Sequence, residues 1–221
     1  DVQQFVGSTL HDLPDVVALT PELIAASWGP STSEVIHLGR RIFEHSGGAY
    51  VDRLNIVGLR IPHFENNELD WIMAHELTHK LAKCSQVKLR YVLQSVSDLS
   101  QRSVFDQISQ TVNEGFCNYV AINVLPESES SKRHIAYLSQ FKKEVIRSNS
   151  FSRETLDSFV LEQIRGGQFK YFLGLNFVNE VYPRLYGTPQ EKFDRIICDE
   201  LPTFSQLAFP ETYLQEIAVK G

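Results

Sequence analysis

The chain of 221 residues has little of what marks the more easily recognised protein classes. Three cysteines, Cys84, Cys117 and Cys198, are too few for a disulfide framework and lean towards a reducing, intracellular setting. No apolar run approaches the ~18 residues of a membrane span, so a soluble protein is expected. Lysine and arginine number 21 against 27 acidic residues, giving a net charge of -6, and nothing gathers them into a stripe. That excludes the footprint of a nucleic-acid binder. Internal repeats and low-complexity segments are also missing, which excludes solenoids and arrays. The chain starts at Asp1 with no Met and no signal peptide, as a trimmed or mature product would, and location stays open.

One stretch, by contrast, is dense in chemistry. Residues 66–84 read NNELDWIMAHELTHKLAKC, with no Pro or Gly. Leu69, Ile72, Met73, Leu77 and Leu81 recur at helical spacing and read as the apolar side of a helix. Asn67 reads as its N-cap, and Glu68 and Asp70 fall in the first turn, where the helix dipole favours negative charge. The same stretch carries His75, Glu76 and His79 in the order His-Glu-x-x-His (HExxH). Residues four apart share a helix face, so two imidazoles can present nitrogens to one metal ion. Glu76 is rotated by about a third of a turn and can reach a metal-bound water without being a ligand. Two imidazoles suit zinc, and this arrangement is the zinc-hydrolase signature. Coincidence and a pair of core histidines are the plainer alternatives. Burying such a polar triplet in an apolar stripe without a metal would be costly.

The rest of the chain divides by its punctuation. Residues 16–19 read as a strand, and Thr20-Pro21 pairs an N-cap with Pro at the first helical position. That helix ends by Gly29-Pro30. Ser31 and Glu34 form a capping box for a helix bearing Val35, Leu38, Ile42 and Phe43, stopped at Gly47-Gly48. Residues 50–61 read as a strand; a strand so placed lines the cleft and pairs with extended substrate in zinc peptidases of this general plan, and the plainer alternative is an edge strand of a small sheet. The loop HFENN, residues 63–67, follows. Beyond Cys84 the chain reads as helical, at about 87–96, 103–125 (closed by Pro126), 132–148 and from Ser152 to Gly166-Gly167. Residues 168–187 are aromatic-rich and broken at Pro183. Thr188, Pro189 and Glu191 open another helix, and a last one begins near Pro210. ESESSKR, residues 127–133, reads as an exposed loop. The expected fold is α+β, predominantly helical, with a small β-sheet beside the HExxH helix. It forms one domain, with a lobe at 1–66 holding the sheet and a helical lobe at 67–221 holding the metal ligands.

A catalytic zinc site needs three protein ligands and an open position. A third His in the pattern His-Glu-x-x-His-x-x-Gly-x-x-His is ruled out, because Ala82 and Ser85 stand where Gly and His would be. What remains is a carboxylate on a later helix. Glu114 sits in TVNEGFCNYVA, residues 111–121, among Val112, Phe116, Tyr119 and Val120. A lone Glu on an otherwise apolar face wants a partner for its charge.

At these words the chain resembles the gluzincin metallopeptidases, in particular the aminopeptidase N-like family, where HELxH is followed by LNEGFAxY. The resemblance implies a zincin-like metallopeptidase domain holding one catalytic Zn2+ on His75, His79 and Glu114, with Glu76 as catalytic carboxylate. It covers residues 68–187. That family also carries a Tyr-x-Lys-Gly word whose Tyr assists the chemistry. Tyr171-Phe172-Leu173-Gly174 matches it at Tyr and Gly, which implies a catalytic role for Tyr171, while Leu173 departs from the Lys. The 34 residues between His79 and Glu114 make a longer gap than the family has, and the Gly-Ala-Met-Glu-Asn anchor for a substrate amino terminus is missing. The resemblance therefore supports the peptidase clan better than an aminopeptidase activity. Cys117, one turn from Glu114 on roughly the same face, is a candidate ligand by position, but it stands where the family has Ala and reads rather as a small core residue. Asn118 is a candidate to orient a zinc-bound His. His11, His37, His45, His63 and His134 show no ligand spacing.

The expected activity is hydrolysis of a peptide or protein substrate by zinc-activated water, with Glu76 as general base. Two other readings stay open: a non-catalytic zinc-containing binding or regulatory module, and a protease specific for one protein partner.

Overall fold

The computed structural model describes residues 2–3, 12–26, 37, 40, 43–44, 47–51, 54–60, 68–81, 99–147 and 169–220. The helices expected at 87–96 and from Ser152, the HFENN loop and most of the helix after Ser31 lie outside these residues. Within them the chain is predominantly helical with one three-stranded sheet, as the α+β reading expects. The chain divides into two compact units, residues 1–81 with 120–131, and residues 82–119 with 132–221.

The first unit is built on the sheet. Strand β1 (Asp15–Ala18) pairs in parallel with β3 (Ile56–Leu59), and β2 (Gly48–Val51) pairs with β3 antiparallel, in the order β1-β3-β2. Residues 50–61 are thus not one strand. The β-formers divide into the end of β2 and all of β3, and Asn55 between them takes φ 52°, a left-handed conformation that Asn tolerates. Gly48, expected to stop a helix, opens β2. Helix α1 (Pro21–Ala26) starts as expected, with the Leu23 N–H donating to Thr20 Oγ1 at 3.1 Å. Helix α2 (Glu68–Leu81) packs on β2 and β3. Because paired residues project to the same side, Gly48, Leu59, Tyr50 and Val57 face α2. Gly58 faces the other way, against Leu19 and Leu23.

The second unit is helical. It takes in the first part of α3 (Leu99–Val124), most of α4 (Glu129–Arg147), and α5 (Phe169–Val181) with a 3-10 turn at Tyr182–Arg184. Three further helices follow: α6 (Pro189–Asp194), α7 (Phe204–Ala208) and α8 (Pro210–Lys220). A π-helical segment, Arg195–Asp199, continues α6. Pro183 ends α5 as expected, and α6 begins on the Thr188–Glu191 capping box. The same signature at Thr203–Gln206 starts α7, which the sequence reading passed over. Helix α5 carries the core, with Leu173, Leu175, Phe177, Val178 and Val181 all buried. Asn176, buried beside them, donates to the Leu207 carbonyl at 3.2 Å, satisfying an acceptor that the end of α7 leaves open. Phe116 packs on Tyr182 and Phe193 at ring distances of 5.2 and 4.3 Å, and burial pushes the Tyr182 phenol up to about 12.

ESESSKR is corrected too. Helix α4 begins inside it, and Ser130 and Ser131 are buried. Ser130 Oγ donates to Glu68 Oε1 at 3.5 Å, while Ser131 is satisfied locally. Ser131 Oγ donates to the Leu125 carbonyl at 2.7 Å, and the Ser131 N–H donates to Ser128 Oγ at 3.1 Å.

Candidate metal centre

Helix α2 carries the site, and its buried face is not the one hydrophobicity suggests. Trp71, Ala74, His75, Glu76, Thr78 and Leu81 are buried, while Leu69 is exposed and Ile72, Met73 and Leu77 are half-buried. The inward stripe therefore runs through the motif. Thr78 closes its hydroxyl on the Ala74 carbonyl at 2.7 Å, so it adds no unpaired donor there. Trp71 stacks on His75 at 5.6 Å, one turn earlier on the same face.

The two imidazoles meet edge to face, and their Nε2 atoms lie 3.1 Å apart. Two imidazoles on a tetrahedral zinc, each about 2.1 Å from the ion, would have nitrogens roughly 3.4 Å apart. At 3.1 Å the two nitrogens are within hydrogen-bond distance of each other, and the spacing is also close to what one shared ion would need. Glu76 is 7% exposed, and its Oε2 accepts the Tyr50 main-chain N–H at 2.8 Å. The far end of the helix is clipped to the hairpin. Lys80 Nζ donates to Asn55 Oδ1 at 2.6 Å and to the Asp12 carbonyl. Asn55 Oδ1 also accepts from the Tyr50 hydroxyl at 3.3 Å, and the Asn55 carbonyl accepts from the Asp15 N–H at 3.1 Å.

The other expected residues lie on α3 and α5. Glu114 is half-buried on α3 and Tyr171 half-buried on α5. Leu173, where the resembling family has Lys, is fully buried, so the departure is a core residue. Cys117 is fully buried and reduced. Its sulfur and one ring nitrogen each of His75 and His79 lie within 4.8 Å of one another, a group that could hold a metal ion. Glu114 is not a member of that group. Cys117 is thus a buried core residue, as the sequence reading prefers, and also the candidate ligand that its place one turn from Glu114 suggests. Asn118 is 1% exposed, and its Nδ2 has no hydrogen-bond partner. A buried orphan donor carries a desolvation cost of about 1–3 kcal/mol, which a polar occupant would relieve.

No family model, curated protein or solved structure matches this chain.

The donor set gives a direct expectation. His79→Ala is expected to lose bound metal, measured as metal per chain after dialysis against zinc. Cys117→Ala and Glu114→Ala separate the candidate third ligands: the true one loses metal as His79→Ala does. Full retention by His79→Ala would remove the centre altogether.

Proposed function

We propose that the chain is a zinc-dependent metallopeptidase of the gluzincin type, hydrolysing peptide bonds in a peptide or protein substrate. One observation carries this reading: two ring nitrogens 3.1 Å apart on α2, with a buried carboxylate at the intervening position. A bound zinc ion would lower the pKa of a coordinated water and polarise the scissile carbonyl. Glu76 would take the proton from the attacking water and pass it to the leaving amine, as general base and then general acid. The Tyr171 hydroxyl is assigned a hydrogen bond to the developing oxyanion. Tyr171→Phe is therefore expected to lower kcat about 100-fold with metal content unchanged, since it removes a contact made in the transition state. An unchanged kcat would return Tyr171 to a packing role.

The proposal is tested by digesting a mixed peptide library and reading the products by mass spectrometry. Three samples are compared: the protein as it stands, with chelator, and with zinc restored. Cleavage that chelator stops and zinc revives is the expected result. Internal cuts would make it an endopeptidase, and stepwise loss of amino-terminal residues an aminopeptidase.

The Cys117 thiol favours a second reading. Sites that zinc holds for structure are closed and commonly use Cys with His. On that reading the chain is a metal-holding binding module, bound zinc raises its thermal stability, and no library peptide is cut.

A further inference from the structure

The carboxylate of Glu76 is held by the sheet. In the β2–β3 ladder the Gly47 carbonyl accepts the Arg60 N–H, continuing the register in which Ala49 faces Gly58 and Val51 faces Ile56. Antiparallel pairs alternate between those that exchange ladder bonds and those that do not. Tyr50, opposite Val57, belongs to the second set, so its N–H and C=O point away from β3. Among the described residues β2 is the edge strand on that side. An N–H turned off the ladder needs an acceptor, and Glu76 Oε2 supplies it at 2.8 Å.

A glycine sets the approach that makes this bond. Gly48 lies two residues before Tyr50 and faces α2. A Cβ there would come within 2.6 Å of Ile72 Cγ2 and 3.3 Å of Glu76 Cγ. Ile72 is branched at Cβ and has little rotamer freedom with which to give way. The strand therefore lies as close to the helix as it does because residue 48 has no side chain.

We propose that the Tyr50 main-chain amide is the positioning group of Glu76, and that Gly48 sets the spacing that lets it act. The inference rests on the peptidase reading above. A charge-assisted hydrogen bond commits one carboxylate oxygen to the strand and leaves the other to take the proton. It also keeps the carboxylate from swinging onto the ion as a ligand, which two neighbouring imidazoles would otherwise invite.

Two measurements test this on the whole chain. The first is amide hydrogen exchange, read residue by residue by NMR, in wild type and Glu76→Ala. The Tyr50 amide is expected to exchange at least tenfold faster in Glu76→Ala, while the ladder amides of Ala49 and Val51 keep their rates. Equal Tyr50 rates in the two proteins would overturn the tether. The second is kinetic. Tyr50→Pro deletes the donor without touching a ladder bond, and an edge strand accepts Pro. Tyr50→Ala keeps the donor and loses only the side chain. Tyr50→Pro and Gly48→Ala are each expected to lose at least tenfold more kcat than Tyr50→Ala, with KM and bound zinc retained. An ångström of misplacement costs about 100-fold in such chemistry. If the wild type cuts peptides and these variants keep its kcat, the positioning role fails and the peptidase reading stands. A wild type that cuts nothing overturns the peptidase reading and the catalytic meaning of the tether together, while the exchange rates still report whether the tether forms.

Discussion

Glu76→Gln is expected to keep its zinc and lose turnover, with kcat lower by about 1,000-fold or more. General acid–base catalysis contributes about 100- to 10,000-fold, and Glu76 is assigned both proton transfers, so the upper half of that range applies. A 1,000-fold loss corresponds to ~4 kcal/mol of transition-state stabilisation. The substitution is clean for a geometric reason. A carboxamide has nearly the shape of a carboxylate, and its oxygen can still accept the Tyr50 N–H that Oε2 now accepts at 2.8 Å. What it cannot do is take a proton at neutral pH. KM should therefore stay near the wild-type value while kcat falls, and metal analysis should show equal zinc in both proteins. Glu76→Asp makes the complementary test: it keeps the proton chemistry but shortens the reach by one methylene, so it should fall between the two. Cleavage by Glu76→Gln at the native rate would end the general-base assignment.

The sequence showed the local parts of this molecule more clearly than the distant ones. Capping chemistry acts within four residues, and Thr20-Pro21 and the Thr188–Glu191 box both start helices where expected. The HExxH spacing is local too, and the two histidines meet as helical geometry requires. The errors came where tertiary context decides. Leu69, Ile72, Met73 and Leu77 have the hydrophobic period, but the buried residues of the helix are Trp71, Ala74, His75, Glu76, Thr78 and Leu81. Polar groups, His75, Glu76 and Thr78, occupy part of that face, so hydrophobicity points elsewhere. The run at 50–61 read as one strand because every apolar residue in it suits a strand. The turn at Asn55 is held in part by a bond from Lys80 that no short window contains. The serines of 127–133 read as solvated because the stretch is polar throughout, and the Glu68 carboxylate that accepts from Ser130 lies far off in sequence. A third metal ligand is the least legible part, since it depends on which distant helix residue approaches the pair. Chemistry and resemblance point to Glu114, whereas the group of described residues that could hold an ion includes Cys117.

Gly174→Ala is expected to destabilise the chain more than any single change at the site, and Gly115→Ala nearly as much. Helix α3 meets α5 backbone to backbone at these two residues. A Cβ on Gly174 would fall on the Thr111 carbonyl oxygen, and one on Gly115 on the carbonyl carbon of Gly174, both far inside contact distance. The obstacle is main chain rather than the end of a side chain, so no rotamer change relieves it. The helices must part, and the buried Val112, Phe116, Leu173 and Phe177 around the crossing lose their packing with them. Overpacked cores cost about 1–3 kcal/mol and occasionally more. With backbone as the blocking group, ~3 kcal/mol or above is expected. For a chain of this size each kcal/mol moves Tm by roughly 2–4 °C, so a fall of about 6–12 °C should appear in a thermal melt. A Tm within about 2 °C of wild type would mean that the crossing is not as close as described. The same two glycines belong to the words NEGF and YFLG, on which the gluzincin resemblance was read. Close packing alone accounts for Gly at both positions. The case for chemistry therefore rests on their neighbours: Glu114 precedes one glycine, and Tyr171 stands one turn before the other. If either neighbour acts, small-residue variants at the crossing that still fold, such as Gly115→Ser, should lose kcat beyond what their residual folded fraction explains. Activity that simply tracks the folded fraction would assign the two words to packing.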